Sequence, residues 1–332
     1  MQVLVIGAGV VGLRATRQML TVPDVTEILL LGHDESRTRR AVASMGPNVR
    51  WAPARQVAEP ALVVLAQPAG DHRDAADWAL GVGAHVVSVS DAIPDAEGLL
   101  SLHQSAMSAG RSVVIGAGFA PGLTCVLARH AAAEFETVDE IHVAKVGTGG
   151  PACARQHHAA LGSDGRDWRH GEWVSVRGGS GRELAWFPDP IGGADCYRAA
   201  LADALLLQPA FPTATRITAR VSATRRDRLT AVLPMLRKPH PEAGAGAVRV
   251  EVRGRRSGEA RVVVMGAMDR PSIAAGAVIA ATVDAALHGR LARSGAGGLA
   301  EMVPVPAAFL AELARRGVKA ARFEGFADRV GV

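Results

Sequence analysis

Aromatic residues are scarce in this chain: seven Phe, five Trp and one Tyr make up 4% of its 332 residues. A nucleic-acid surface, in which aromatic side chains interleave with basic ones, is therefore not expected, and the net charge of +5 is modest and scattered. Lysine is scarcer still. There are only three, Lys145, Lys238 and Lys319, so arginine is the default cation and a well-placed lysine stands out. The three cysteines, Cys125, Cys153 and Cys196, are odd in number and widely spaced. That leaves no disulfide framework and no zinc-ligand spacing, so a reducing compartment is expected and no metal site is. No apolar run reaches the roughly 20 residues of a membrane span. The most apolar stretch, Ile273 to Ala286, carries Asp284. The first residues read directly as a strand, without a charged region and a cleavage site, so a cytoplasmic protein with no membrane and no nucleic-acid partner is expected. The excess positive charge suits small anionic molecules instead.

A chain of this length suits two domains. In the first half, short apolar runs alternate with helix-period stretches. Strands are expected at Val3 to Ile6, Glu27 to Leu31, Val49 to Ala52, Ala61 to Ala66, His85 to Val89 and Ser112 to Ile115. The intervening helices are Val11 to Leu20, Ser36 to Met45, Asp71 to Val82 and Ala96 to Ala109. Wholly apolar strands are buried on both faces, and their alternation with helices implies right-handed crossovers and a doubly wound parallel sheet.

The residues Gly7-Ala8-Gly9-Val10-Val11-Gly12 follow the first strand and open a helix. This is a dinucleotide-binding fingerprint in the required context. Gly7 permits the tight turn, Gly9 lets the backbone approach a pyrophosphate, and Gly12 allows close helix–sheet packing. The free amides around Val10 and Val11 lie at the positive end of the helix. The second strand ends Leu31-Gly32-His33-Asp34, with Arg37, Arg39 and Arg40 beyond. The position that grips the ribose hydroxyls in an NAD protein is Gly32 in this register. Loss of a carboxylate and gain of guanidinium donors suits a 2′-phosphate, so NADP is expected, with Arg37 as its partner and His33 and Asp34 beside it. NAD is the alternative, with Asp34 on the ribose. Gln67 and Pro68, after the fourth strand, and Ser88, Ser90 and Asp91, around the end of the fifth, face the same crevice or else cap their loops.

At Gly116-Ala117-Gly118-Phe119-Ala120-Pro121-Gly122-Leu123 a sixth strand enters a glycine-rich turn and a helix from Leu123 to Ala133. Together with the N-terminal glycine motif and the Ala66-Gln67-Pro68 loop, this turn resembles the saccharopine dehydrogenase-like family of NAD(P)-dependent oxidoreductases. The resemblance implies hydride transfer at a carbon–nitrogen bond of an amino-acid-derived substrate, and by analogy a homodimer. True saccharopine dehydrogenases carry an acidic residue before the proline of this turn, where this chain has Ala120. The resemblance therefore implies a member with a different substrate.

From Val138 the pattern changes to strand-like runs: Val138 to Val146, Trp173 to Arg177, Leu184 to Phe187, Thr215 to Ala223, Ala247 to Arg253 and Arg261 to Met268. These imply a mixed or antiparallel sheet with helices at Arg198 to Leu207 and Arg226 to Leu233. The helical run Ser272 to Leu287 returns to the first domain, Ser294 to Gly298 reads as a glycine-rich linker, Pro306 to Arg316 as a helix and Ala320 to Phe323 as a strand. The expected fold is α/β: an N-terminal Rossmann domain over residues 1–120 with a returning helix around 271–292, and a second α+β domain over 121–270 and 300–330.

Two loops rich in Gly, Pro and polar residues are the expected seat of the chemistry. In the first, Lys145 is a proton donor or carboxylate holder, Arg155 a carboxylate clamp, and His157, with His158, an acid or base near neutral pH. In the second, Asp189 and Tyr197 are catalytic candidates and Asp195 a substrate contact, with helix capping as the alternative for Asp195 and Tyr197. Trp168, Trp173 and Trp186 line a pocket or pack in a core. The expected function is NADPH hydride transfer to an imine in the interdomain cleft, with carbonyl reduction or dinucleotide binding without turnover as the alternatives.

Overall fold

The computed structural model describes residues 1–57, 59–235, 239–240 and 243–323. The first half alternates as its apolar periodicity requires. The elements are β1 (Gln2–Ile6), α1 (Val10–Met19), β2 (Glu27–Leu31), α2 (Glu35–Ala43), β3 (Val49–Trp51), β4 (Leu62–Leu65), α3 (His72–Gly81), β5 (His85–Ser88), α4 (Ile93–Leu100), α5 (His103–Ser108) and β6 (Ser112–Ile115). The strands are parallel and run β3-β2-β1-β4-β5-β6, so the order reverses between β1 and β4. Val3, Leu4, Val5 and the whole of β4 are fully buried, because helices cover both faces.

The second half supplies α6 (Leu123–Ala132), β7 (Thr137–Val146), α7 (Pro151–Gly162), β8 (Gly165–Arg169), β9 (Glu172–Val176), β10 (Glu183–Phe187), β11 (Gly192–Arg198), α8 (Asp203–Leu207), β12 (Arg216–Ser222), α9 (Arg225–Thr230), β13 (Gly246–Arg256) and β14 (Glu259–Asp269). Their mixed sheet runs β10-β11-β12-β7-β13-β14, with β12 and β7 parallel and the other neighbours antiparallel. The hairpin β8–β9 hangs from β12. The central strand β7 places Ile141, Val143 and Lys145 on one face, since side chains alternate along a strand. All three are buried, so Lys145 continues an apolar row.

The chain then returns to the first sheet. Helix α10 (Pro271–Leu287) is apolar all round and accordingly buried along most of its length. It crosses α1 so closely that a Cβ on Gly276 would lie 2.9 Å from the Arg14 backbone. The run expected as a glycine linker is instead β15 (Gly295–Gly298), which pairs in parallel with β6 as the seventh strand of the first sheet. Arg293 holds it in register by bonding the Ala296 carbonyl and Glu301. Helices α11 (Leu299–Met302) and α12 (Pro306–Arg315) follow, and β16 (Ala320–Arg322) pairs with β14. The tail of the expected second domain, residues 324–330, lies outside the described residues.

Other expectations are corrected. The helix expected from Arg198 begins only at Asp203, because Gly192–Arg198 is drawn into the sheet as β11. The stretch 96–109 is two helices broken at Ser101–Leu102. The segment 151–162, rich in Ala but read as a polar loop, is a helix started by Pro151. Among the described residues, no helix is long and apolar enough to cross a membrane.

The close packing of α1 on β1 gives a test. A Cβ on Gly12 would sit 1.8 Å from the Gly7 carbonyl oxygen. Gly12→Ala therefore forces a backbone shift and should lower the unfolding free energy by about 1–3 kcal/mol in urea titrations.

Candidate active site

One cleft of about 950 Å³ opens at the point where the strand order of the first sheet reverses. Such a crevice, outside the carboxyl ends of the strands, is where doubly wound folds hold ligands. It is lined at one end by His33, Asp34, Arg37 and Arg55, in the middle by Gly7 to Val11, Gln67 and Pro68, and at the other end by Asp91, Lys145, Cys153, Arg155 and His157.

The glycine turn is shaped as its sequence requires. Gly7 has a φ of +119°, and a Cβ there would meet the Ala66 carbonyl at 2.4 Å. A Cβ on Gly9, by contrast, would meet no protein atom within 4 Å and would project into open space. Gly9 is the residue before α1, and the first amides of a helix have no intrahelical acceptor. The Gln67 side-chain oxygen, on the cleft lining, is buried without a partner in the protein. Bare amides, an open glycine and an orphan acceptor together fit a phosphate-bridged ligand.

At the strand tip, a Cβ on Gly32 would meet Thr38 Oγ1 at 2.2 Å, so no carboxylate fits there. Asp34 is spent on the helix: its Oδ1 accepts from the Arg37 amide at 2.9 Å. Arg39 pairs with Glu35 and stacks on Trp51, and Arg40 bonds Ser36. Arg37 is exposed on the cleft, with no ion-pair partner among the described residues. Arg55, which no sequence motif marks, lies over the Trp78 ring at 5.4 Å and lines the same end.

Ser88 does not reach the cleft. It is fully buried, its hydroxyl 2.9 Å from His72 Nδ1, and it supports the loop that follows β5. That loop is fixed further by Asp95, which accepts from Ser90 Oγ at 2.6 Å and from the Gly70 amide at 3.2 Å. The result is a rigid position for Asp91.

Asp91 Oδ2 accepts from Lys145 Nζ at 2.9 Å and lies 2.8 Å from His157 Nε2. Lys145 Nζ also donates to the Ala120 carbonyl at 3.0 Å. His157 Nε2 is 3.5 Å from Cys153 Sγ, while His157 Nδ1 is buried without a partner. Burial alone would raise the Asp91 carboxyl, but the Lys145 ammonium and the His157 ring outweigh it and hold Asp91 well below the usual carboxylate range. Burial would likewise lower Lys145, and Asp91 reverses this so that the ammonium is kept. Against the same desolvation, Cys153 and Asp91 lift His157 to about 9. Nearby, burial pushes the Asp203 carboxyl up. Its Oδ1 accepts from Thr124 and its Oδ2 has no partner.

Four of the expected second-half residues are not brought to this site. Asp189 is exposed in the β10–β11 turn, away from the cleft lining. Asp195 pairs with Arg182 at 3.0 Å, and Tyr197 is buried beneath Arg228, whose guanidinium lies 4.2 Å from the ring centre. Both lie on β11, a strand rather than the loop expected, so the sheet directs them elsewhere. His158 turns from its neighbour His157 and bonds the Leu233 carbonyl, as adjacent residues on a helix must diverge. Trp168, Trp173 and Trp186 do not line the cleft either. Arg155 does, exposed and with no ion-pair partner among the described residues.

The central carboxylate carries the arrangement. Asp91→Ala leaves a buried ammonium unpaired and should cost about 3–5 kcal/mol of stability. In Asp91→Asn the His157 midpoint, followed by NMR, should fall from about 9 toward the ordinary 6.5. Because that midpoint is raised on folding, the stability it contributes is complete below about pH 6.5 and is lost as pH climbs through about 9. Wild-type stability should therefore fall more between those values than that of His157→Asn.

No family model matches the chain. It superposes on apo saccharopine dehydrogenase (L-Glu forming) from Saccharomyces cerevisiae with a TM-score of 0.68 at 14% identity, over 97% of this chain and 100% of the yeast protein. A probable dehydrogenase from Thermotoga maritima superposes with a TM-score of 0.51 at 10% identity, over 97% of this chain and 98% of that one. The chain is thus built on the same fold as yeast saccharopine dehydrogenase, along essentially its whole length.

Proposed function

We propose that the protein is an NADP(H)-dependent oxidoreductase of the saccharopine dehydrogenase-like kind, reducing a C=N bond of an amino-acid-derived substrate. The observation that carries this reading is the open glycine, Gly9, at the reversal point of a doubly wound sheet, facing a cleft that ends at a buried cluster of donors. Residues 1–120, the returning helix at 271–287 and β15 form the dinucleotide-binding unit, and 121–270 with 300–323 the substrate unit. The working partner set is a small substrate and a second copy of the chain in the cytoplasm. Exposed Leu184 and Trp186 on the edge strand β10 support that dimer.

The amides of Val10 and Val11 receive the diphosphate, and Arg37 the 2′-phosphate, aided by His33 and Arg55. Bound there, the reduced nicotinamide supplies a hydride. The substrate carboxylate pairs with Arg155, whose fork has no ion-pair partner among the described residues and matches a carboxylate in two bonds. His157 is charged at neutral pH, and its imidazolium is the group that gives a proton to the substrate nitrogen. Lys145, held by Asp91 and the Ala120 carbonyl, keeps one N–H in reserve to hold the substrate. Carbonyl reduction is the second reading, favoured by the same donors. NADPH oxidation across matched imines and ketones separates the two, and binding without turnover on either class would sink both.

Two variants test the cofactor placement. Gly9→Asp keeps an ordinary backbone (φ −77°) and its Cβ would meet no protein atom within 4 Å, so the fold should persist. Its carboxylate should nonetheless weaken NADPH at least about 100-fold, or about 2.7 kcal/mol, by fluorescence titration. Arg37→Ala should weaken NADPH by about 10- to 100-fold and leave NADH nearly unchanged. An equal loss for both coenzymes would refute the 2′-phosphate role.

A further inference from the structure

Of the three cysteines, two are inert. Cys125 and Cys196 are fully buried, and burial pushes both thiols up to about 12. Cys153 differs in every respect. It lies on the cleft lining, in the first turn of α7, two residues after Pro151. Helix N-termini favour an anion through their unpaired amides. Its Sγ is 3.5 Å from His157 Nε2. A Cβ on Gly149 would lie 3.2 Å from Val11 and 4.0 Å from this sulfur, so the thiol stands beside the start of α1.

The charges around it close on themselves. Asp91, after β5, is shared by Lys145 of β7 and His157 of α7. Asp91 alone cannot balance both cations. Of the two further acidic groups facing them, Asp203 has its carboxyl pushed up by burial, so Cys153, 3.5 Å from His157, is the group placed to balance the second. As a thiolate it completes a neutral quartet: Lys145 and His157 against Asp91 and Cys153. Burial opposes the thiolate, and the His157 imidazolium overcomes that to draw the thiol below its ordinary value. His157 is 6% exposed, lines the cleft and has a ring nitrogen without a partner. Sulfur and imidazolium thus both stand at the cleft, one able to attack and the other able to supply a proton.

We propose that Cys153 is a nucleophile that captures the carbonyl carbon of an aldehyde reversibly in the cleft. The sulfur forms a C–S bond as the carbonyl π bond opens toward oxygen, and that oxygen takes a proton from the His157 imidazolium. The product is a neutral thiohemiacetal, and release reverses the same steps. No oxidant or reductant takes part. The capture rests on the quartet alone and stands or falls independently of the dinucleotide.

The test is alkylation by iodoacetamide, followed by intact mass and peptide mapping on the full chain between pH 5.5 and 9. Cys153 should be labelled selectively over Cys125 and Cys196, with a rate that has already levelled off below the pH at which free cysteine titrates. Millimolar propionaldehyde should slow labelling and be competed away on dilution. In His157→Asn the rate at pH 6.5 should drop at least about tenfold, equivalent to one pH unit in the thiol. Labelling that follows the profile of free cysteine, or that is indifferent to both the aldehyde and the loss of His157, would overturn the proposal. NADPH titration of the same samples reports separately on the cofactor reading.

Discussion

The Lys145–Asp91 ion pair is the constraint on which the site depends. Two charges taken out of water are costly, and the cost is offset only when geometry and further hydrogen bonds are good. Here they are: the ammonium meets a carboxylate and a backbone carbonyl, at 2.9 and 3.0 Å. These partners come from different parts of the fold. Lys145 belongs to the central strand of the second sheet, Asp91 to a loop of the first, and Ala120 to the turn between them. One side chain therefore fixes the distance between the two walls of the cleft. The same carboxylate orients His157, so separation of the walls and protonation of the imidazole are linked through a single oxygen.

Support for that oxygen extends outward in layers. Asp95 ties together the loops after β4 and β5, and Ser88 with His72 braces the latter from below. The Ala202 amide donates to the Asp91 carbonyl, bringing in the approach to α8. A polar network of this sort must be nearly complete to be stable, since each unpaired member costs free energy in a low-dielectric interior. The unpartnered atoms it does contain, on Gln67, His157 and Asp203, are accordingly conspicuous.

The first half of the chain was legible in the sequence for a simple reason. Its signals are local: an apolar strand, three glycines and a helix within twelve residues, each with a separate steric consequence. The same is true of Gly32, whose missing side chain announces a crowded strand tip. The second half was legible only where one residue type was rare, as with Lys145. His157 was noticed, but its helix was not, because Gly-Gly-Pro followed by Ala and two histidines imitates a loop. Asp189, between two prolines, looked built to hold a catalytic group, yet stiffness says nothing of direction, and a hairpin turn carries it to solvent. Asp203 and Arg55 had no local signal. Their importance comes from residues far away in the chain, Thr124 for Asp203 and Trp78 for Arg55, which no short window contains. Likewise Gly295–Gly298 carries no side-chain pattern, so only its pairing with β6 identifies it as a strand.

That last strand has a consequence for how the molecule comes together. The edge of the first sheet beside β6 is filled by residues that leave the ribosome some 180 positions later. With α10, which lies against α1, they close a unit begun at the other end of the chain. Contacts of such long separation are slow to form because the intervening chain must first be restrained. Until then the β6 edge is unpaired and the apolar face of α1 uncovered, a surface that invites pairing with another chain. Assembly of this protein is thus vulnerable late, at the strand that completes its first sheet, rather than early at the strand that begins it.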